Sequence, residues 1–441
     1  MSDPARSHAV VIGAGMAGLT AAQAISGHFG KVTIIERDTL PAQAAPRSGT
    51  PQAQHAHMLL AGGLQALQTL FPGFENDLAE AGAVKIRTGK DIRFERPGFD
   101  PFPIRDLGIE IFCMSRPLLE AVTRRRVQQT PNINICERAR VTGLVASRDA
   151  MRIEAVRYDS EEGPAVAVEV ELVVDASGRC GPTLKLLEEL SLQKPEETEI
   201  GIDQAYASTI VERPLDHNAD WLGNIILPSA PVSSRGAFLF PIEKQRWLLS
   251  VGANHGDAPP GDRAGFMDFV RSLRTPTIHD AVRDARPLTD IVRYQLPCST
   301  RRHFERMESF PAGLLAIGDA FCRFNPVFGQ GMSVAAQEAV VLDRLLAEDV
   351  PMERLARDFF AAIQDTIATP WGVAVSDFVY PATRGVRPAD LAQRLQYGVA
   401  LTRLAAQDPE VHRLTAEVSQ LLKPQAALRE PALAARVMSL M

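Results

Sequence analysis

The stretch that most constrains how this chain can fold is residues 9–37. Ala9-Val10-Val11-Ile12 is followed by Gly13-Ala14-Gly15-Met16-Ala17-Gly18. A helix-forming run from Leu19 comes next, then Val32-Thr33-Ile34-Ile35, ending at Glu36-Arg37. β-Branched runs on either side of a glycine turn and a helical run predict strand, tight turn, helix and second strand. In that setting Gly13 permits the turn, Gly15 lets a pyrophosphate approach the backbone, and Gly18 lets the helix lie close on the sheet. The helix start offers unpaired N–H groups and the positive end of its dipole to phosphate. Glu36 lies 18 residues beyond Gly18, near the roughly 20-residue spacing of an acid that hydrogen-bonds a ribose hydroxyl. The glycine pattern alone would also suit a loop closing an ordinary strand–helix–strand unit. The flanking strand, helix and acid favour dinucleotide binding.

At 441 residues the chain is long enough for two or three domains. Its 46% hydrophobic and 23% charged content is that of a globular protein. A net charge of −6 argues against nucleic acid or an anionic membrane as partner. The five cysteines (Cys113, Cys136, Cys180, Cys298 and Cys322) are dispersed, with no CxxC pair, and read as reduced thiols of a cytoplasmic protein. No apolar leader opens the chain and no apolar run is long enough for a transmembrane segment.

Beyond Arg37, residues 41–58 form a loop rich in Pro, Gly, Gln and His, long enough to suggest a functional role. Arg47 within it suits phosphate or a ring edge. His55 and His57 make an H-x-H pair, but without a third ligand nearby a metal is not expected. Residues 84–102 read as β-structure with a Pro-rich tip. Ser115-Arg116-Pro117 opens a helix with a serine cap and a first-turn proline. Arg124-Arg125-Arg126 reads as a solvated helix face. Short strands then lead to Asp175-Ala176-Ser177-Gly178-Arg179. From residue 195 to 296 alternating strands predict a second, mixed sheet, with residues 237–241 and 247–251 as a hairpin. Phe238 and Phe240 share one face of it. At Leu314-Leu315-Ala316-Ile317-Gly318-Asp319 a buried strand returns and is followed by a long helix from Ser333. The remainder is helical, interrupted at Pro370-Trp371 through Pro381.

Ile317-Gly318-Asp319-Ala320 brings a carboxylate to the sheet mouth, beside a helix start at Gly331-Met332. Asp319 suits a sugar-alcohol hydroxyl, and the amides of Gly331 and Met332 suit negative charge on a reduced ring. Alone, the segment reads as a helix start with a capping acid. Paired with the glycine turn, it reads as the second half of a cofactor site.

These blocks together resemble the group A FAD-dependent monooxygenases with the p-hydroxybenzoate hydroxylase fold. Residues 13–18 with Glu36 resemble the ADP-binding fingerprint, and Arg116 is similar to a helix-start arginine near the FAD. Residues 174–179 resemble the middle "DASGR" motif. Gly318-Asp319-Ala320, Asn325-Pro326 and Gly329-Gln330-Gly331-Met332 resemble the ribityl- and flavin-binding block. Residues 51–57 and 371–381 look most like the bacterial polyene and polyether epoxidase branch, a relative of squalene epoxidases. Two departures matter. The Trp-x-Trp-x-Ile-Pro block of flavin-dependent halogenases is missing, and "DASGR" is shared with halogenases and geranylgeranyl reductases.

The resemblance implies an α/β fold with an α+β substrate domain. A Rossmann-like FAD domain of glutathione reductase type would take residues 1–75, 105–194 and 297–346. A mixed β-sheet substrate domain would take 76–104 and 195–296, and C-terminal helices 347–441. It implies FAD as cofactor, NADPH or NADH (or a partner flavin reductase) as electron source, and dioxygen as co-substrate. One oxygen atom would enter an apolar or aromatic small molecule by way of a flavin hydroperoxide. Cofactor positions would be Gly13, Gly15, Met16, Ala17, Gly18, Glu36, Arg37, Arg47, Arg116, Val141, Asp319, Pro326, Gly329, Gly331 and Met332. Pocket candidates are His57, Phe238, Phe240, Phe328 and Trp371. No side-chain acid, base or nucleophile is expected, because the cofactor carries the hard chemistry. The rival readings are a flavin-dependent reductase or dehydrogenase of a prenyl-like substrate and a non-catalytic flavin-binding redox protein.

Overall fold

A computed structural model describes residues 6–161, 163–214 and 217–441. The extreme N-terminus, where no apolar leader was read, lies outside them. A five-stranded parallel sheet runs, edge to edge, Leu314–Ala316, Leu172–Asp175, Arg6–Ile12, Phe29–Ile35, Ile133–Cys136. Its central strands are near-continuous Val, Ile and Ala because both faces are covered, as parallel sheets require. One face packs on helices Met16–Ser26 and Gly331–Ala347, which also pack on each other. The other face meets an antiparallel meander, Ala139–Ala146, Ile153–Ser160 and Gly163–Glu169, and helix Gly181–Glu189.

The first turn leaves no room for a side chain at Gly13 or Gly18. A Cβ on Gly18 would lie 1.8 Å from the carbonyl oxygen of Gly13, and Gly13 itself has φ +100°. Only glycine lets the helix start this close to the strand that feeds it.

The second sheet has seven strands in the order Cys322–Arg323, Val292–Arg302, Glu197–Glu212, Arg246–Ala253, Gly236–Ile242, Gly223–Ile226, Ile92–Glu95. It is antiparallel except where Ile92–Glu95 joins Gly223–Ile226. The expected hairpin is Gly236–Ile242 with Arg246–Ala253. Alternation sends Ala237 and Leu239 into a core with Trp247 under helices Arg263–Arg271 and Thr277–Val282. Phe238 and Phe240 go to the opposite face, towards a cavity.

Three placements differ from the boundaries read in the sequence. Helix Phe74–Glu80 buries Phe74 and Leu78 in the core of the first sheet. Val84–Arg87 pairs with Glu110–Cys113 in a small sheet of its own, so of residues 76–104 only Ile92–Glu95 joins the larger sheet. Helix Gln364–Ala374 runs through Pro370 and Trp371, and the break comes at the 3-10 segment Val375–Val379. Proline removes one ladder bond, but Ile367, Thr369, Pro370 and Ala374 are buried and hold the turn. Helices Leu391–Gln407, Pro409–Ser419 and Pro431–Met438 close over Phe102 and the edge of the larger sheet. Among the described residues no helix is long and apolar enough to cross a membrane. The five cysteines are free thiols.

Candidate active site

Parallel strands end at one edge of their sheet, and that edge gathers most of the residues singled out above. Helix Met16–Ser26 begins there with Gly15 as an extended N-cap and no side chain capping it. A Cβ on Gly15 would meet nothing within 4 Å, so the space before the first amides is open. Gly331–Ala347 also starts uncapped, behind Gly329, whose φ is +65°. Its Met332 is buried in the adjoining core.

Glu36 is buried and accepts hydrogen bonds from the N–H groups of Ala14 (2.7 Å) and Asp38 (2.9 Å). It thereby holds the glycine turn to the end of the second strand. Arg47, expected along the cofactor, is held by three carboxylates: Glu120 at 2.7 Å, Asp38 at 2.8 Å and Glu36 at 3.3 Å. Burial works against its charge, but Glu120 and Glu36 override this and raise its pKa. Arg47 is therefore a brace tying Glu36 and Asp38 to Glu120. Arg37, its side chain 60% exposed, lies on the outer surface in a groove with Arg138 and Arg140. Val141 sits on the meander beside Pro182 and Leu186.

Arg116 is the first residue of helix Arg116–Gln128, whose cap Ser115 accepts from the Leu118 N–H. Its guanidinium is buried, touches Glu120 at 3.3 Å, and its Nε has no partner among the described residues. Burial lowers its pKa, and Glu120 opposes that. Asp319 sits in the 3-10 turn Gly318–Ala320, and its carboxylate has no hydrogen-bond donor among the described residues. Burial pushes its pKa up against the pull of Arg323, Arg116 and Arg302. Uncapped helix starts, an orphaned buried guanidinium nitrogen and an unspent carboxylate fit the phosphates and hydroxyls of FAD.

Two carboxyls escaped the sequence reading. Glu338, fully buried on helix Gly331–Ala347, accepts the Gly318 N–H at 2.7 Å. Burial, helped by the charge of Asp319, raises it to about 8 against that hydrogen bond. Its one signal is an acid amid the small apolar residues Ala335, Ala336 and Ala339. Asp377, from the segment Val375–Val379, accepts from Asn325 Nδ2 at 3.1 Å and is raised to about 6 by burial. Asn325 Oδ1 in turn accepts from the Val327 N–H and from Tyr206, at 3.1 and 3.2 Å. This chain fixes the turn Pro326–Phe328.

That turn forms one wall of a cavity of about 520 Å³. Pro326, Phe328, Gly329, His57, Phe238 and Phe240 line it, facing C-terminal helix residues such as Leu401 and Ala405. Trp371 packs away from the cavity, against two core clusters, while Val373 reaches it. His55 Nδ1 meets Ser208 Oγ at 2.7 Å, and His57 Nδ1 meets the His55 carbonyl at 2.8 Å. Burial takes His55 to about 4. It takes His57 to about 3, where the Arg116 charge adds to it. Each histidine is thus tied to its own protein partner.

A sequence profile described as FAD binding domain matches residues 6–353. The chain belongs to that family. It is 31% identical to Protein Rv3254 of Mycobacterium tuberculosis over 401 residues, 87% of this chain and 84% of that one. Squalene epoxidase 3 of Arabidopsis thaliana is 22% identical over 76% of this chain, which spans 59% of that protein. The flavin-dependent brominase Bmp2 superposes with a TM-score of 0.69 at 16% identity, covering 98% of both chains. The family is thus that of the group A flavoprotein monooxygenases, whose fold the brominase shares.

Replacing Asp319 with Ala is expected to leave the chain folded and to weaken FAD binding about 10- to 100-fold, the worth of a hydrogen bond to a charged group. Fluorescence titration of FAD checks this, and an unchanged affinity would remove Asp319 from the site. Glu338 gives a pH test. In the fold it keeps its proton up to about pH 8, whereas unfolded it releases it near 4.5. The folded chain holds the extra proton between these values, so stability falls as pH rises through the window. Glu338→Gln keeps the acceptor for Gly318 and should flatten that fall in urea unfolding. An unaltered slope contradicts the assignment.

Proposed function

We propose that this family member is a monooxygenase that places one atom of dioxygen into an apolar or aromatic small molecule. The observation that carries the reading is the cavity that opens directly against the turn Pro326–Phe328 and the following Gly329, walled by Phe238, Phe240, Ile225 and Ile111. NADPH or NADH, directly or through a flavin reductase, supplies two electrons, and the second oxygen atom leaves as water. FAD, when bound, supplies the electron transfer and oxygen activation. Its pyrophosphate would lie on the helix start at Met16 and near Arg116, its ribityl chain by Asp319, and its ring beside Pro326, Gly331 and Met332.

The chain's own groups bind, orient and exclude water. Apolar walls keep water from a reactive oxidant. His57 donates its Nδ1–H to the His55 carbonyl, which leaves Nε2 as an acceptor at the cavity wall. Neutral at physiological pH, it can take a hydrogen bond from a substrate hydroxyl without adding charge. The squalene epoxidase relative supports an alkene as reacting group, and Phe238 and Phe240 suit an alkene or an aromatic ring equally.

The test incubates FAD-loaded protein with NADPH, ¹⁸O₂ and each of squalene, undecenoate and 3-phenylpropionate. One labelled oxygen per product molecule, with substrate-stimulated NADPH oxidation, is the expected result. Unlabelled product with hydrogen added or removed would make the chain a reductase or dehydrogenase. Failure of all three to stimulate NADPH oxidation would favour a non-catalytic flavoprotein.

A further inference from the structure

The cavity wall is mostly apolar, and its one fully charged side chain stands at one corner. Among the described residues that line it, Arg96 alone carries a full charge, and no Asp or Glu lines it at all. Arg96 follows strand Ile92–Glu95 and is fixed by a tight turn in which it and Phe99 exchange backbone hydrogen bonds of 3.0 and 2.8 Å. The neighbouring arginines are spent. Arg93 pairs with Glu95 at 2.5 Å, and Arg105 donates to the carbonyls of Ala405 and Ala406 at 2.9 and 2.6 Å. The Arg96 guanidinium has neither carboxylate nor hydrogen-bond acceptor among the described residues. It lies over two rings, 5.6 Å from the centre of Phe102 and 6.0 Å from that of Phe94. Ring faces attract the cation but satisfy none of its five N–H donors.

A second donor stands at the same ring. His412 packs edge-on against Phe102, with centres 4.9 Å apart, and also lines the cavity. Arginine can only donate, so the 3.2 Å contact from Arg105 Nη1 makes His412 Nδ1 the acceptor. The proton of the neutral ring is then on Nε2, which has no partner among the described residues. Burial, with the charges of Arg105 and Arg96, lowers His412 to about 4 and keeps it in that form.

Two unspent donors, one of them a cation, around one aromatic ring in an acid-free apolar cavity are costly when desolvated without a counter-charge. We propose that the substrate has an apolar or aromatic body ending in a carboxylate, with the carboxylate held by the Arg96 guanidinium and His412 Nε2–H. The body then runs along Phe94 and Ile92 towards the wall at Pro326 and Gly329, which adjoins Met58. The C-terminal helices thereby acquire a role in choosing substrate, since His412 and Leu401 belong to them. This rests on the reading of the cavity as the substrate site and narrows it.

The test is calorimetric titration of the full FAD-loaded chain with a matched pair, 6-phenylhexanoate and 6-phenylhexanol. Wild type should bind the carboxylate at least about tenfold more tightly, as a charge-assisted bond would give. Arg96→Gln should abolish that preference and leave alcohol binding unchanged, and Arg96→Lys should keep part of it. Equal affinities in wild type would overturn the anion site while leaving the cavity as substrate site, and need no variant to fold. A preference that survives Arg96→Gln would overturn the role of Arg96. Failure of both ligands to bind would overturn the substrate-cavity reading and this inference with it.

Discussion

The closeness with which two helix starts approach the edge of the parallel sheet governs the rest of the structure. At Gly18 a methyl group would sit inside the carbonyl of Gly13, and at Gly318 it would lie 2.7 Å from the side chain of Ala17. These contacts let helices Met16–Ser26 and Gly331–Ala347 point their uncapped ends into one cleft. Glu338 locks the arrangement by taking the Gly318 amide, at the cost of burying an acid beside Asp319. The buried acid is tolerated because it removes an unsatisfied backbone donor where close packing excludes water.

The larger sheet supplies what the cleft lacks, an apolar chamber. Its strands alternate between a helix-covered core around Trp247 and a face of Phe238, Phe240 and Ile225. The link between chamber and cleft is polar: Asp377 orients Asn325, and Asn325 holds both Val327 and Tyr206. A residue from the C-terminal region thus fixes the turn that walls the chamber. The same region closes the chamber through Leu401 and His412.

Much of this was legible in the sequence because local chemistry dictated it. The glycine turn, the hairpin of Phe238 and Phe240, and the Gly318-Asp319 strand end each carry their own periodicity or steric signature. Partnership across long separations was not legible. Arg47 looked like a free cation facing phosphate, yet the fold surrounds it with Glu36, Asp38 and Glu120, the last 73 residues away in the chain. Arg37 follows Glu36 directly but points outward, since successive side chains at a strand end face opposite ways. Trp371 suited a pocket as an aromatic, and the continuation of its helix past Pro370 packs it, partly buried, against the core. Arg96 drew no notice, because its singularity appears only once every acid is seen to lie elsewhere.

A crystal structure of the chain with FAD bound is the most direct test of the account. The pyrophosphate should rest on the amides at Met16, and Asp319 should lie within about 3 Å of a sugar-alcohol hydroxyl. The flavin ring should form a wall of the chamber lined by Phe238 and Phe240. A ring seated elsewhere and separated from that chamber by the turn Pro326–Phe328, or an Asp319 without contact to the cofactor, would contradict it.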